Sequence, residues 1–100
     1  MDNFGFLKVA AAIPHVRVGD CDYNTERMAA LADEAARRGG EIVVFPELGV
    51  TGYTCGDLLL HPALLDDADQ ALEELVRSTR KLPLVAIVGA PLRHGETLYN

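Results

Sequence analysis

One short run of this 100-residue sequence concentrates the residue types that could do chemistry: Glu47-Leu48-Gly49-Val50-Thr51-Gly52-Tyr53-Thr54-Cys55. Glu47 follows directly on the apolar stretch Ile42-Val43-Val44-Phe45 and Pro46. A carboxylate between Phe45 and Leu48, at the start of a glycine-containing turn, is expected to be partly desolvated, which favours its neutral form and raises its proton affinity. Such a group suits a general base. Read from spacing alone, Glu47 is either that base or a solvated loop acid. Tyr53, two residues past a Thr-Gly pair, could line a pocket with its ring and orient a polar substrate with its hydroxyl, or be a half-buried packing residue. Cys55 would need a base and a positively charged neighbour to act as a thiolate, and the surrounding residues offer Asp57 but no Lys or Arg, so it reads as a packed or rim thiol. Cys21 has a weaker claim. His15, His61 and His94 sit beside a proline or in a turn, and no cluster of His, Cys and Asp at ligand spacing points to a metal.

The elements that must hold these residues are legible from periodicity. Residues 41–45, rich in β-branched side chains and bounded by Gly39-Gly40 and Pro46, read as a buried strand whose pairing stops at the proline. Glu47 is thereby delivered to the strand's carboxyl end, the edge at which open α/β sheets bind ligands. A first strand is expected over 7–13, closed by Pro14, with small alanines that let a neighbouring layer approach. A helix follows over 24–38, with Asn24 as N-cap, Met28, Leu31, Ala32 and Ala35 on its apolar face, and Gly39 at C′. Pro62 opens a second helix with Leu64, Leu65, Ala68, Leu72, Leu75, Val76 and Thr79 on one face. Its acids, Asp66, Asp67, Asp69, Glu73 and Glu74, read as a solvated face, with Arg77, Arg80 and Lys81 complementing the dipole at its end. Residues 84–88 read as a third buried strand, 93–96 as a hairpin turn and 97–100 as the opening of a further strand. Strand, helix, strand, helix, strand makes two right-handed βαβ units with parallel pairing, so the class is α/β. Gly49 and Gly52 are expected to serve backbone geometry at the turn after Glu47, by positive φ or close approach. Leu58-Leu59-Leu60 reads as apolar packing, with a subunit contact or a path-lining segment as alternatives.

Composition narrows the partners. Fifteen acids against nine bases give a formal charge of -6. No stretch concentrates Lys or Arg beyond Arg37-Arg38, which argues against nucleic acid and anionic membrane. The amino terminus lacks a signal-like basic and apolar pattern, and no apolar run reaches bilayer-spanning length, so a cytoplasmic location is expected. Two cysteines without CxxC spacing are expected to be reduced thiols. Three strands leave apolar edges uncovered, and residues 1–100 read as the first portion of a larger domain.

The ordered set FPEL at 45–48, TGY at 51–53, GDLLL at 56–60 and VGAPL at 88–92, together with Leu-Lys-Val-Ala at 7–10, resembles the nitrilase, or carbon–nitrogen hydrolase, superfamily. TGYTCGDLLL at 51–60, Pro62 and VGAPLRHGETLYN at 88–100 are similar, within it, to the amino-terminal glutaminase domains of glutamine-dependent NAD⁺ synthetases, and the resemblance spans essentially the whole chain. It implies a four-layer αββα sandwich, of which this chain is the first β-α-β-α-β part, and a Glu-Lys-Cys triad that hydrolyses a side-chain amide. Glu47 matches the family's glutamate, which takes the thiol proton, while a cysteine attacks the amide carbon and a lysine stabilises the oxyanion. Resemblance also places Tyr53 near the glutamine site. The lysine and cysteine of the pattern are expected past Asn100; neither Lys8, Lys81, Cys21 nor Cys55 matches them. The chain alone is therefore expected to be inactive. Further implications are ammonia transfer to a downstream synthetase domain that uses ATP and magnesium, no cofactor in these residues, and a homo-oligomer. Alternatives are another amidase of the superfamily, such as an ω-amidase or carbamoylase, and a non-enzymatic α/β binding module.

Overall fold

The computed structural model describes residues 5–100, the Asp57 side chain excepted; residues 1–4 of the amino terminus read as lacking a signal-like pattern lie outside the described residues. The chain runs β1 (Val9–Ala11), α1 (Cys21–Arg37), β2 (Ile42–Val44), a 3₁₀ turn (Gly56–Leu60), α2 (Pro62–Thr79), β3 (Val85–Ile87), β4 (Leu92–His94) and β5 (Thr97–Tyr99). Strands β1, β2 and β3 form a parallel sheet in that order, and β4 and β5 pair as an antiparallel hairpin. The α/β class and the parallel pairing agree with the sequence pattern.

Helix α1 begins earlier than its apolar periodicity suggests. Asp20 is the N-cap, and its carboxylate accepts a hydrogen bond from the Tyr23 backbone N–H at 3.1 Å. Asn24, expected at that cap, instead lies inside the helix and is fully buried, because its carboxamide is used in tertiary contacts. The helix stops as anticipated: Gly39 takes φ +81°, its N–H donates to Ala36 O and the Gly40 N–H donates to Ala35 O. This pair of bonds satisfies two terminal carbonyls in a Schellman arrangement. Lys8 Nζ donates to a further one, the carbonyl of Arg38. Helix α2 starts at Pro62, where a missing N–H costs no helical bond.

The two helices pack on each other and on one face of the sheet. Met28, Ala32 and Ala35 of α1 meet Leu64, Ala68, Ala71 and Leu75 of α2 in the core. Ala71 joins the buried face, whereas Val76, expected there, is 60% exposed. The acids of α2 are exposed, as their pattern indicates. The register aligns Ala10, Val43 and Ala86 in one rung. Val43 is completely buried, and the flanking alanines leave room for the helices to approach.

The strands are not buried on both faces, contrary to the expectation from their continuous apolar runs. Val9, Val85 and Ile87, in the adjacent rungs, are 54%, 60% and 51% exposed. The reason is topological: right-handed crossovers between strands added in the order β1, β2, β3 place both helices on the same side. The opposite side is an uncovered apolar sheet face.

Candidate active site

Pairing between β2 and β3 continues one bond beyond β2, where Phe45 N–H donates to Ile87 O at 2.9 Å. Pro46 then ends the ladder and the chain folds into a compact turn. The Pro46 carbonyl accepts from Gly49 N at 3.2 Å, and the Leu48 carbonyl accepts from Thr51 N at 3.2 Å and Gly52 N at 2.8 Å. Leu48 adopts φ +51°, uncommon for a residue with a branched side chain, so the turn carries local backbone strain. Gly52 takes φ +86°, as its turn position requires, and Gly49 provides a close approach to Met28.

Three attachments hold this turn. Val50 N–H donates to Gly89 O at 3.1 Å, and Gly19 N–H donates to Thr51 O at 2.8 Å. Asn24 forms the third: its Nδ2 donates to Val50 O at 2.9 Å and to Arg17 O at 2.9 Å, while its Oδ1 accepts from Arg17 N at 2.7 Å. One buried carboxamide thus joins helix α1, the loop before it and the turn that carries Glu47. Gly89 touches the same turn so closely that a Cβ there would fall 2.4 Å from Leu48 N, 2.8 Å from Pro46 O and 3.0 Å from Glu47 C.

Glu47 stands at the rim of an open cleft of about 530 Å³ lined by Phe45, Leu72, Ile87, Gly89, Leu92 and Asn100, among others. Its carboxylate is exposed rather than partly desolvated. The neighbours contributed by the β3 exit, Gly89 and Ala90, have too little side chain to cover it. Among the described residues, no titratable side chain besides Glu47 lines the cleft, and Asn100 Nδ2 donates to Glu47 Oε2 at 2.9 Å.

Tyr53 lies beyond the turn with its side chain 67% exposed, and it does not line the Glu47 cleft. Cys55 is buried and its thiol donates to Thr51 O at 3.0 Å, so it braces the turn instead of facing Glu47. Cys21 is buried in the same core, and burial, reinforced by the Asp67 carboxylate, pushes its thiol up to about 11. A thiol so disfavoured as thiolate is a poor nucleophile at neutral pH. Of the 3₁₀ turn leucines, Leu59 packs against the core while Leu58 and Leu60 are exposed. Among the described residues, no group of three or more His, Cys, Asp or Glu could hold a metal ion, and no helix is long and apolar enough to cross a membrane.

Asn24, Gly89 and Asn100 carry site geometry that the sequence pattern does not assign to them. Only Asn24 gives a local signal, as a poor helix former inside an apolar helix face.

The carbon–nitrogen hydrolase family model matches residues 8–100. The chain belongs to this family. Among curated members it is similar to the glutamine-dependent NAD(+) synthetase of Mycobacterium tuberculosis, 41% identical over 96 residues that make up 96% of this chain and 14% of that protein. The chain therefore spans about one seventh of the length of such relatives. Its structure is similar to that of a glutamine-dependent NAD(+) synthetase from Cytophaga hutchinsonii, with a TM-score of 0.85, 26% identity and coverage of 94% of this chain and 16% of that one. An amidase from Nesterenkonia shares the fold with a TM-score of 0.77 at 20% identity, over 89% of this chain and 34% of that one. The carbon–nitrogen hydrolase fold thus accounts for the parallel sheet and its one-sided helical layer.

Proposed function

We propose that these residues form the first part of a glutaminase domain in a glutamine-dependent NAD⁺ synthetase, with Glu47 as its general base. The observation that carries this reading is the placement of Glu47. In a chain of this family it stands at the carboxyl end of a parallel strand, on the rim of a cleft, on a turn fixed by Asn24 and Gly89. Glu47 accepts the proton of a cysteine thiol supplied by residues past Asn100, and a lysine from the same region stabilises the oxyanion formed as the thiolate attacks the glutamine amide. Proton transfer and charge stabilisation together turn glutamine into glutamate and ammonia. The exposed carboxylate acquires its desolvated surroundings when those segments close over the cleft. Tyr53 contributes to the glutamine pocket from the far side of the turn.

The apolar sheet face receives the second sheet of the αββα sandwich. A synthetase domain that uses ATP and magnesium consumes the ammonia, and the complete protein is a cytoplasmic homo-oligomer. An ω-amidase or carbamoylase would share the base but not the synthetase. Substrate profiling of the full polypeptide separates the two. Glutamate release from glutamine coupled to amidation of nicotinic acid adenine dinucleotide supports the proposal; turnover of other amides with no coupled synthesis refutes it.

A further inference from the structure

The hairpin that follows β3 returns the chain to Glu47. Strand β4 leaves the β3 exit, the turn reverses at Gly95 with φ +62°, and β5 runs back so that Tyr99 pairs with Leu92. Arg93 is ion-paired with Asp66, which ties the hairpin to α2. The next residue, Asn100, enters the cleft lining and donates its Nδ2–H to Glu47 Oε2 at 2.9 Å, across 53 positions of sequence.

We infer that Asn100 is a positioning residue for Glu47, and this rests on Glu47 being the base. An exposed glutamate has several rotamers of similar energy, and a base is effective only in the one that meets its proton donor. A carboxylate has two oxygens, and Asn100 engages one of them. The other is left to receive a proton. The carboxamide suits this task because it does not titrate: it orients the carboxylate without competing as a proton source, and it bonds more strongly to the ionised acceptor than to a neutral one. Among the described residues, no other polar side chain lines the cleft beside Glu47.

The test uses the full-length polypeptide, with glutamate release from glutamine as the readout. Asn100→Ala should lower kcat on the order of 10-fold while KM for glutamine changes less than about 2-fold, since orientation and not substrate binding is lost. Asn100→Gln, which keeps a carboxamide donor, should recover part of kcat, and Asn100→Asp should fall below Asn100→Ala because it opposes two carboxylates. In a Glu47→Asp background the shortened carboxylate no longer reaches Asn100, so Asn100→Ala should cost little more. Wild-type kcat in Asn100→Ala, or losses that simply add in the Glu47→Asp background, would overturn the inference. So would a lowered unfolding temperature with a parallel loss of ammonia-driven synthesis, which would mark a structural role. Retention of glutamate release by Glu47→Gln would instead overturn the assignment of Glu47 itself.

Discussion

Replacing Gly89 by alanine probes how tightly the site depends on backbone contact. The new Cβ would lie 2.4 Å from Leu48 N, where ordinary contacts begin near 3.4 Å, so the turn or the β3 exit must retreat by about 1 Å. All three of the nearest atoms are backbone atoms of residues 46–48, so no side-chain rotation relieves the overlap. The Val50 N–H to Gly89 O bond at 3.1 Å is stretched by the same movement. Overpacking of this kind costs about 1–3 kcal/mol of stability. A displacement of about 1 Å at a catalytic group costs on the order of 100-fold in rate. Glutamate release by the full polypeptide should therefore drop by about two orders of magnitude in kcat, a change of roughly 2.7 kcal/mol in barrier. Ammonia-driven synthesis should persist. Gly49→Ala serves as the comparison, because its nearest clash, at 2.5 Å, is with Met28 Cε, the end of a flexible side chain. That variant should lose stability with a much smaller loss of kcat. A Gly89→Ala enzyme with wild-type kcat, or equal kcat losses in the two variants, would refute the reasoning.

Asn24→Ala removes three hydrogen bonds and leaves the Val50 and Arg17 backbone groups without this partner, so urea unfolding should show a loss of about 2 kcal/mol or more. Cys21 supplies a pH test. The folded protein holds this proton to about pH 11, whereas the unfolded chain releases it near 9.0. Folded protein thus binds more protons in that window, and stability should be insensitive to this thiol below it and fall as pH rises through it. Cys21→Ala removes a core side chain and should lower stability at every pH, but the stability difference from wild type should stay constant below about pH 9 and shrink as pH rises towards 11; a difference that does not change with pH would contradict the assignment.

The order of elements was legible because each rests on local signals. Pro46 ends a β-branched run, Pro62 opens a helix, and Gly39 closes one with a positive φ. The position of Glu47, just past the end of a strand, was legible for the same reason. What escaped depends on contacts between distant segments. Apolar residues fill both faces of β2 and β3, so no alternation betrays that Val43 faces helices while Val44 faces outward. Asn24 has the residue type of a cap, yet Asp20 captures the Tyr23 N–H first and frees Asn24 to reach Val50. The exposure of Glu47 follows from the small size of Gly89 and Ala90, residues far from it in sequence. The same is true of the Asn100 bond, which no local pattern encodes.

The most direct test of the central assignment is steady-state synthesis by the full-length Glu47→Gln protein with either glutamine or ammonia as nitrogen donor. The substitution keeps side-chain size and removes the proton acceptor. Loss of glutamine-driven synthesis with ammonia-driven synthesis intact is the expected result; glutamine turnover near the wild-type rate would contradict Glu47 as the base.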